Sequence, residues 1–224
     1  MSKLILLRHG QALFANDNYD KLSDIGRAQA IETGKQLHDK PEIFTHVLKG
    51  PRTRHAETVD LILTSCDFKG FIETDSRLDE FAEGNEIYAA AAKARQLSVT
   101  EMQNKPLPEQ VNAYIQGCRD WAESRIVIEG RMPIEHFFNQ AKNWLKDIMK
   151  HTEVSGGLTL LAVTSAGVIA AVVCIVLGLE KSSWHKLLTV IENCSITEIL
   201  FTADRCSLLN FNWQMLPKQI STKL

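Results

Sequence analysis

Short apolar runs alternate along this chain with longer stretches in which apolar residues recur every three or four positions. Leu4-Ile5-Leu6-Leu7 and Leu158 to Thr164 are continuous apolar runs of strand length, the pattern of strands covered on both faces. Thr45 to Lys49, Gly70 to Thr74, Ile196 to Thr202 and Ser207 to Asn212 read as further strands. Ser23 can cap a helix running from Asp24 to His38, and a second helix is predicted from Thr53 to Leu63. Pro133 suits the first turn of a helix that continues to about His151. Its apolar residues, Ile134, Phe137, Phe138, Ala141, Trp144, Leu145 and Ile148, are spaced 3, 1, 3, 3, 1 and 3 apart, one helical face against a core. Strand and helix alternate, which predicts an α/β fold: three layers, α/β/α, around a mainly parallel central sheet.

Two segments modify this picture. Leu158 to Leu179 carries no charge over 22 residues, long enough to span a bilayer. Its first part is rich in strand formers and its second part in alanine, so the expected reading is a buried strand, a turn at Ser165-Ala166-Gly167 and a buried helix, with no membrane span. Glu83 to Arg131 reads as a largely helical block, interrupted at Lys105-Pro106-Leu107-Pro108. The remaining connections are an Asn- and Asp-rich loop from Ala12 to Lys21 and a turn at Gly156-Gly157. With no repeats and no linker-like tract, residues 1–224 are expected to form a single domain.

The composition is that of an ordinary globular chain, 45% hydrophobic and 23% charged over 224 residues. A net charge of −2 lacks the basic surplus of a general nucleic-acid binder, so no nucleic-acid partner is expected. The five cysteines, Cys66, Cys118, Cys174, Cys194 and Cys206, show no C-x-x-C spacing. With no secretory pattern at the N-terminus, they are expected to be free thiols in a reducing, cytoplasmic setting, Cys174 and Cys194 within the core. The histidines show no metal-ligand spacing, so neither a metal nor another cofactor is expected.

The chemistry gathers at predicted strand ends. Arg8-His9-Gly10 follows the first strand, and strand carboxyl ends are where open α/β sheets bind ligands. Arginine grips phosphate through paired hydrogen bonds, and a neutral imidazole can attack phosphorus. Arg54 falls in the first turn of a predicted helix, where free backbone N–H groups also favour anions. Arg77-Leu78-Asp79-Glu80 follows the Gly70 to Thr74 strand, and Ser165 follows the Leu158 to Thr164 strand. Val163-Thr164-Ser165-Ala166-Gly167 lacks the G-x-S-x-G elbow of a serine hydrolase.

Taken together, these motifs resemble the histidine phosphatase superfamily, also called phosphoglycerate mutase-like, over almost the whole chain. Arg8-His9-Gly10 is similar to its opening motif, and Leu22-Ser23-Asp24-Ile25-Gly26-Arg27-Ala28-Gln29-Ala30 to the segment that follows. Pro51-x-x-Arg54-x-x-x-Thr58 resembles the second arginine motif, and Leu78-x-Glu80 the segment of the general acid. Val163 to Ile169 takes the place of the final catalytic turn, and Asn193-Cys194-Ser195-Ile196-Thr197 that of a late strand entry. The resemblance implies His9 as nucleophile, Glu80 as general acid with Asp79 and Glu83 as alternates, and Arg8, Arg54 and Ser165 as phosphate ligands. Lys49, Arg52 and His55 are weaker phosphate candidates, Arg52 being expected to point outward. It also implies that residues 83–131 form a helical insertion, a cap over the pocket that selects the substrate. Arg95, Arg119, Arg125 and Arg131 in that block are read as surface charges.

One departure matters. Where the family usually carries a second catalytic histidine, aligning on Gly167-Val168-Ile169 puts Ser165, a shorter donor that cannot carry positive charge. Losing one preorganised donor costs about 10²–10³ in rate. His185 or His55 is a possible substitute. Ala166 replaces a family glycine and would be strained there if the position needs positive φ. The expectation is therefore a metal-independent phosphatase acting on a small phosphomonoester through phospho-His9, with reduced activity. The alternative is a catalytically impaired phosphate-ester-binding or regulatory protein. The run Phe81-Ala82-Glu83-Gly84-Asn85 does not resemble that of the glycolytic mutases, which favours phosphatase over mutase.

Overall fold

Alternate residues of the apolar strands face opposite sides of one sheet, and each side is covered by helices. A computed structural model describes residues 1–13, 20–38, 44, 46–66, 68, 70–150, 157–214 and 216–222. Among them six strands form one sheet: β1 (Ser2–Arg8), β2 (His46–Lys49), β3 (Phe71–Thr74), β4 (Thr159–Thr164), β5 (Ile196–Phe201) and β6 (Cys206–Trp213). Their order is β3-β2-β4-β1-β5-β6, with β1 to β4 pairing in parallel and β5 antiparallel to both β1 and β6. The helices are α1 (Asp24–His38), α2 (Thr53–Cys66), α3 (Gly84–Ala94), α4 (Val99–Gln103), α5 (Leu107–Ala122), α6 (Ile134–Lys150), α7 (Ala166–Leu177) and α8 (Trp184–Leu188).

Ile5, Leu7, Val47, Leu161 and Val163 point to one face and pack with Ala30 and Leu37 of α1 and Val59 and Ile62 of α2. Leu4, Leu6, Leu48, Leu160 and Ala162 point to the other, against α6 and α7. The period-two alternation of the strands thus separates two cores. On α6 every residue of the predicted apolar face is buried. Pro133 lies just before the helix, and its carbonyl accepts from His136 N (3.0 Å) and Phe137 N (3.1 Å). His151 and Gly156 lie outside the described residues, as do Thr45 and residues 14–19 of the predicted loop.

The uncharged stretch breaks as its composition predicts. β4 ends at Thr164, α7 begins at Ala166 and stops at Gly178, whose φ of 64° gives the left-handed cap that glycine adopts readily. No described helix is long and apolar enough to cross a membrane. In the Glu83 to Arg131 block, Pro106 precedes α5, while Arg131 pairs with Glu86, Arg119 with Glu123, and Arg125 with Asp120.

The turn after β1 is clamped by the start of α1. Ser23 Oγ accepts from Gly26 N (3.0 Å) and donates to Gln11 Oε1 (2.9 Å). Gln29 Oε1 accepts from Gln11 N (2.8 Å), while its amide donates to Ile220 O (2.5 Å) and Thr222 Oγ1 (2.8 Å). Gly26 leaves no room for a side chain: a Cβ would lie 2.1 Å from Gln11 O, a backbone atom that cannot swing aside. Gly26→Ala is therefore expected to lower the unfolding free energy by about 1–3 kcal/mol, the usual cost of overpacking. A chemical denaturation midpoint equal to that of the wild type would contradict this.

Candidate active site

The parallel strands deliver their chemistry at one edge. Arg8 lies opposite Thr164 in the β1–β4 register, and His9 N donates to Thr164 O (2.9 Å), so Arg8, His9 and Ser165 leave two central strands side by side. Beyond β2, Gly50 N donates to Val163 O (3.0 Å), and the first turn of α2 follows, carrying Arg54 and His55. Beyond β3, the short turn Ser76–Leu78 is held by Thr164 Oγ1 donating to Leu78 O (2.7 Å), and Glu80 comes next. Thr58 ties two of these elements together, its hydroxyl accepting from Gly10 N (3.1 Å) and donating to Arg54 O (2.7 Å).

His9 is buried, with Nδ1 2.7 Å from Gly10 O. A carbonyl only accepts, so Nδ1 carries the proton and the neutral ring keeps its lone pair on Nε2. Burial, aided by Arg54, His55 and Arg8, holds the His9 pKa well below the usual histidine range. The backbone around it is fixed by Asn193 Nδ2 donating to His9 O (3.2 Å) and Cys194 N donating to Arg8 O (3.0 Å), with Arg8 NH1 donating to Ile191 O (2.5 Å).

Arg54 is 3% exposed, and its NH1 donates to Asp20 Oδ1 (3.1 Å) and Glu83 Oε1 (3.3 Å). Asp20 also accepts from Thr53 N (2.8 Å) at the start of α2. Arg52 does not point outward as expected: it turns back onto Asp79 and Glu83, because two carboxylates offer it charged partners there. Asp79 and Glu83 are thus engaged by guanidinium groups. Glu80 instead accepts backbone N–H groups, from Phe81 (3.1 Å) and Gly167 (3.2 Å). Burial raises its pKa above the usual glutamate range, opposed by those two donors and by Arg54 and Arg8. Gly167 is needed for this approach, since a Cβ there would lie 2.0 Å from Glu80 Oε1.

The contact least legible in the sequence is between His55 and Ser165. His55 Nε2 lies 2.8 Å from Ser165 Oγ, both buried, and the His55 ring centroid is 5.5 Å from that of His9. The sequence offered His55 and His185 as equals. His185 lies instead beside Arg119 and Glu123. Burial, with Arg54 and Arg52, holds the His55 pKa well below the usual range. Ser165 itself has φ −105°, and Ala166 is the first residue of α7 with no positive φ, so alanine is unstrained there.

Among the described residues no group of three or more His, Cys, Asp or Glu is placed to hold a metal ion. Cys118, Cys174 and Cys194 are buried free thiols, and burial pushes Cys118 and Cys194 up to about 12, far from a reactive thiolate.

A model of the histidine phosphatase superfamily (branch 1) matches residues 4–214. The chain belongs to the histidine phosphatase superfamily. Solved structures share its fold: a phosphoglycerate mutase from Bacillus anthracis superposes with a TM-score of 0.66 at 19% identity, over 94% of this chain and 92% of that one. A phosphoserine phosphatase from Entamoeba histolytica gives 0.64 at 19% identity, over 96% and 98%. The mitochondrial serine/threonine-protein phosphatase Pgam5 of Drosophila grimshawi is 39% identical over 67 residues, 29% of this chain and 23% of that protein's length.

The two lowered histidine pKa values carry a consequence for stability. The unfolded chain titrates its histidines near about 6.5, above the folded values, so below that pH it binds more protons than the folded chain. Stability is then full above the unfolded pKa and is lost as the pH falls, each histidine contributing a slope of up to about 1.4 kcal/mol per pH unit. Denaturation midpoints measured from pH 7 to 5 should fall accordingly, and His55→Leu should flatten the slope. A flat profile in the wild type would contradict the neutral buried pair.

Proposed function

We propose that this histidine phosphatase superfamily chain hydrolyses a small phosphomonoester through a covalent phosphohistidine at His9, without a metal ion. The observation that carries the reading is the His9 Nδ1–H to Gly10 O bond, which leaves the basic Nε2 free of its own backbone, with Arg54 and Arg8 near enough to disfavour a charged ring. Arg8 and Arg54 supply the two cations that offset the phosphoryl charge, Arg54 exchanging its carboxylate partners for phosphate oxygens. The Nε2 lone pair attacks phosphorus, the ester P–O bond breaks, and the departing oxygen takes the proton of Glu80. Water then attacks phosphorus and gives its proton to the Glu80 carboxylate, and the N–P electron pair returns to Nε2. A raised carboxyl pKa suits this exchange of acid and base roles.

The competing reading is a phosphate-ester-binding or regulatory protein. It is favoured by Ser165, which brings no charge to the turn where the family resemblance places a histidine. Saturable binding of a phosphate ester with no product formed would carry that reading instead. Because the Pgam5 relative is named a serine/threonine-protein phosphatase, a phosphoserine peptide belongs beside the small esters in the assay.

The test is turnover of an aryl phosphate with chelator present. Wild-type activity should survive the chelator, and His9→Ala should abolish it together with any trapped phosphoenzyme. Activity retained in His9→Ala would sink the phosphohistidine route. kcat/KM should fall at low pH as His9 is protonated and at higher pH as Glu80 is deprotonated. Glu80→Gln should lower kcat by about 10²–10⁴ and remove the alkaline limb. Retention of that limb would assign it to another group.

A further inference from the structure

A serine at the turn after β4 meets an imidazole from a different element. Ser165 starts α7 but makes no capping bond to it through its side chain, because its hydroxyl is engaged with His55. The His55 ring fills the space beside Ser165, close to His9 and walled on its far side by Gly50, where a Cβ would come within 2.2 Å of Nδ1. Building on the phosphoryl-transfer reading, we infer that His55 is a positioning residue acting through Ser165. Its Nε2–H holds the Ser165 oxygen so that the hydroxyl proton is directed at a phosphoryl oxygen on His9.

The argument is one of donor accounting. A serine hydroxyl has one proton and two lone pairs. With its proton on Nδ1, toward the Gly50 backbone, His55 accepts the Ser165 proton, and an oxygen lone pair faces the incoming phosphate and repels it. If His55 donates from Nε2, the serine proton is free for the phosphate and the two bonds reinforce each other in a dry setting. A bound phosphoryl group therefore selects the Nε2–H form. The pair spans the reach that serine lacks, and it places in two side chains, 110 positions apart, the donor that a single histidine provides in the resembled motif. Atoms and charges balance as in the phosphohistidine cycle, since the pair donates hydrogen bonds and transfers no proton.

The test compares the full-length wild type with Ser165→Ala, His55→Leu, His55→Gln and the double variant His55→Leu/Ser165→Ala. Turnover of an aryl phosphate is read beside affinity for orthovanadate, which resembles the transition state, and for sulfate, which does not. The single variants should each lose about 10²–10³ in kcat with little change in KM, and the double variant should lose no more than the worse single. Vanadate affinity should fall in parallel while sulfate affinity holds. His55→Gln, which keeps an N–H near the Nε2 position, should recover about tenfold over His55→Leu.

Losses that multiply in the double variant, or equal effects of Leu and Gln, would overturn the inference, as would a His55→Leu enzyme within about threefold of wild type in both readouts. Phosphate trapped on Ser165 would also overturn it, making His55 the base of a serine nucleophile. Turnover surviving in His9→Ala would sink the phosphohistidine reading alone, the vanadate comparison still deciding the pair. A wild type that neither turns over the ester nor binds vanadate would sink both.

Discussion

The pairing of β1 with β4, in register from Lys3 opposite Thr159 to Arg8 opposite Thr164, is the constraint on which the candidate site rests. Both strands run in the same direction and stop at the same level, so the residues just past their ends emerge together. His9 and Ser165 become neighbours although 156 positions separate them in the sequence. β2 adds Arg54 and His55 through the start of α2, and β3 adds Glu80 through one short turn. Buried leucine, isoleucine and valine on both faces make a slip of this ladder costly. A shift by one residue would send Leu4 and Leu6 into the core meant for Ile5 and Leu7.

Desolvation and the guanidinium groups then divide the titratable groups by sign. Burial beside Arg8, Arg52 and Arg54 keeps two imidazoles neutral, because an imidazolium there would be both poorly hydrated and repelled. The same burial acts oppositely on Glu80, favouring its protonated form. Asp20, Asp79 and Glu83 meanwhile hold the arginines in place. The site therefore combines neutral nitrogen bases, an acid inclined to keep its proton, and cations already oriented, the ingredients of phosphoryl chemistry near neutrality.

Much of this arrangement was legible in the sequence, for reasons that differ by residue. The α6 face could be read because helical period and burial coincide from Ile134 to Ile148, and the break at Ser165 because strand-rich and alanine-rich composition meet there. Arg8, Arg54 and Glu80 could be placed near one another because strand carboxyl ends of a parallel sheet share one edge. The orientation of Arg52 could not, since it depends on Asp79 and Glu83 arriving from another element. Nor could the contact of His55 with Ser165, whose distance in sequence leaves no local trace. The apparent strain at Ala166 vanished because a position at the start of a helix has ordinary backbone angles.

Gly50, His55 and Ser165 occupy a single shared volume. A side chain at Gly50 would collide with the His55 ring, whose other edge rests on the Ser165 hydroxyl. The ring thus works as a spacer between a strand exit and a helix start, with backbone behind it and a hydroxyl in front. Bulk added at Gly50, far from Ser165 in the chain, would be felt at the Ser165 hydroxyl, because the ring between them has nowhere to retreat.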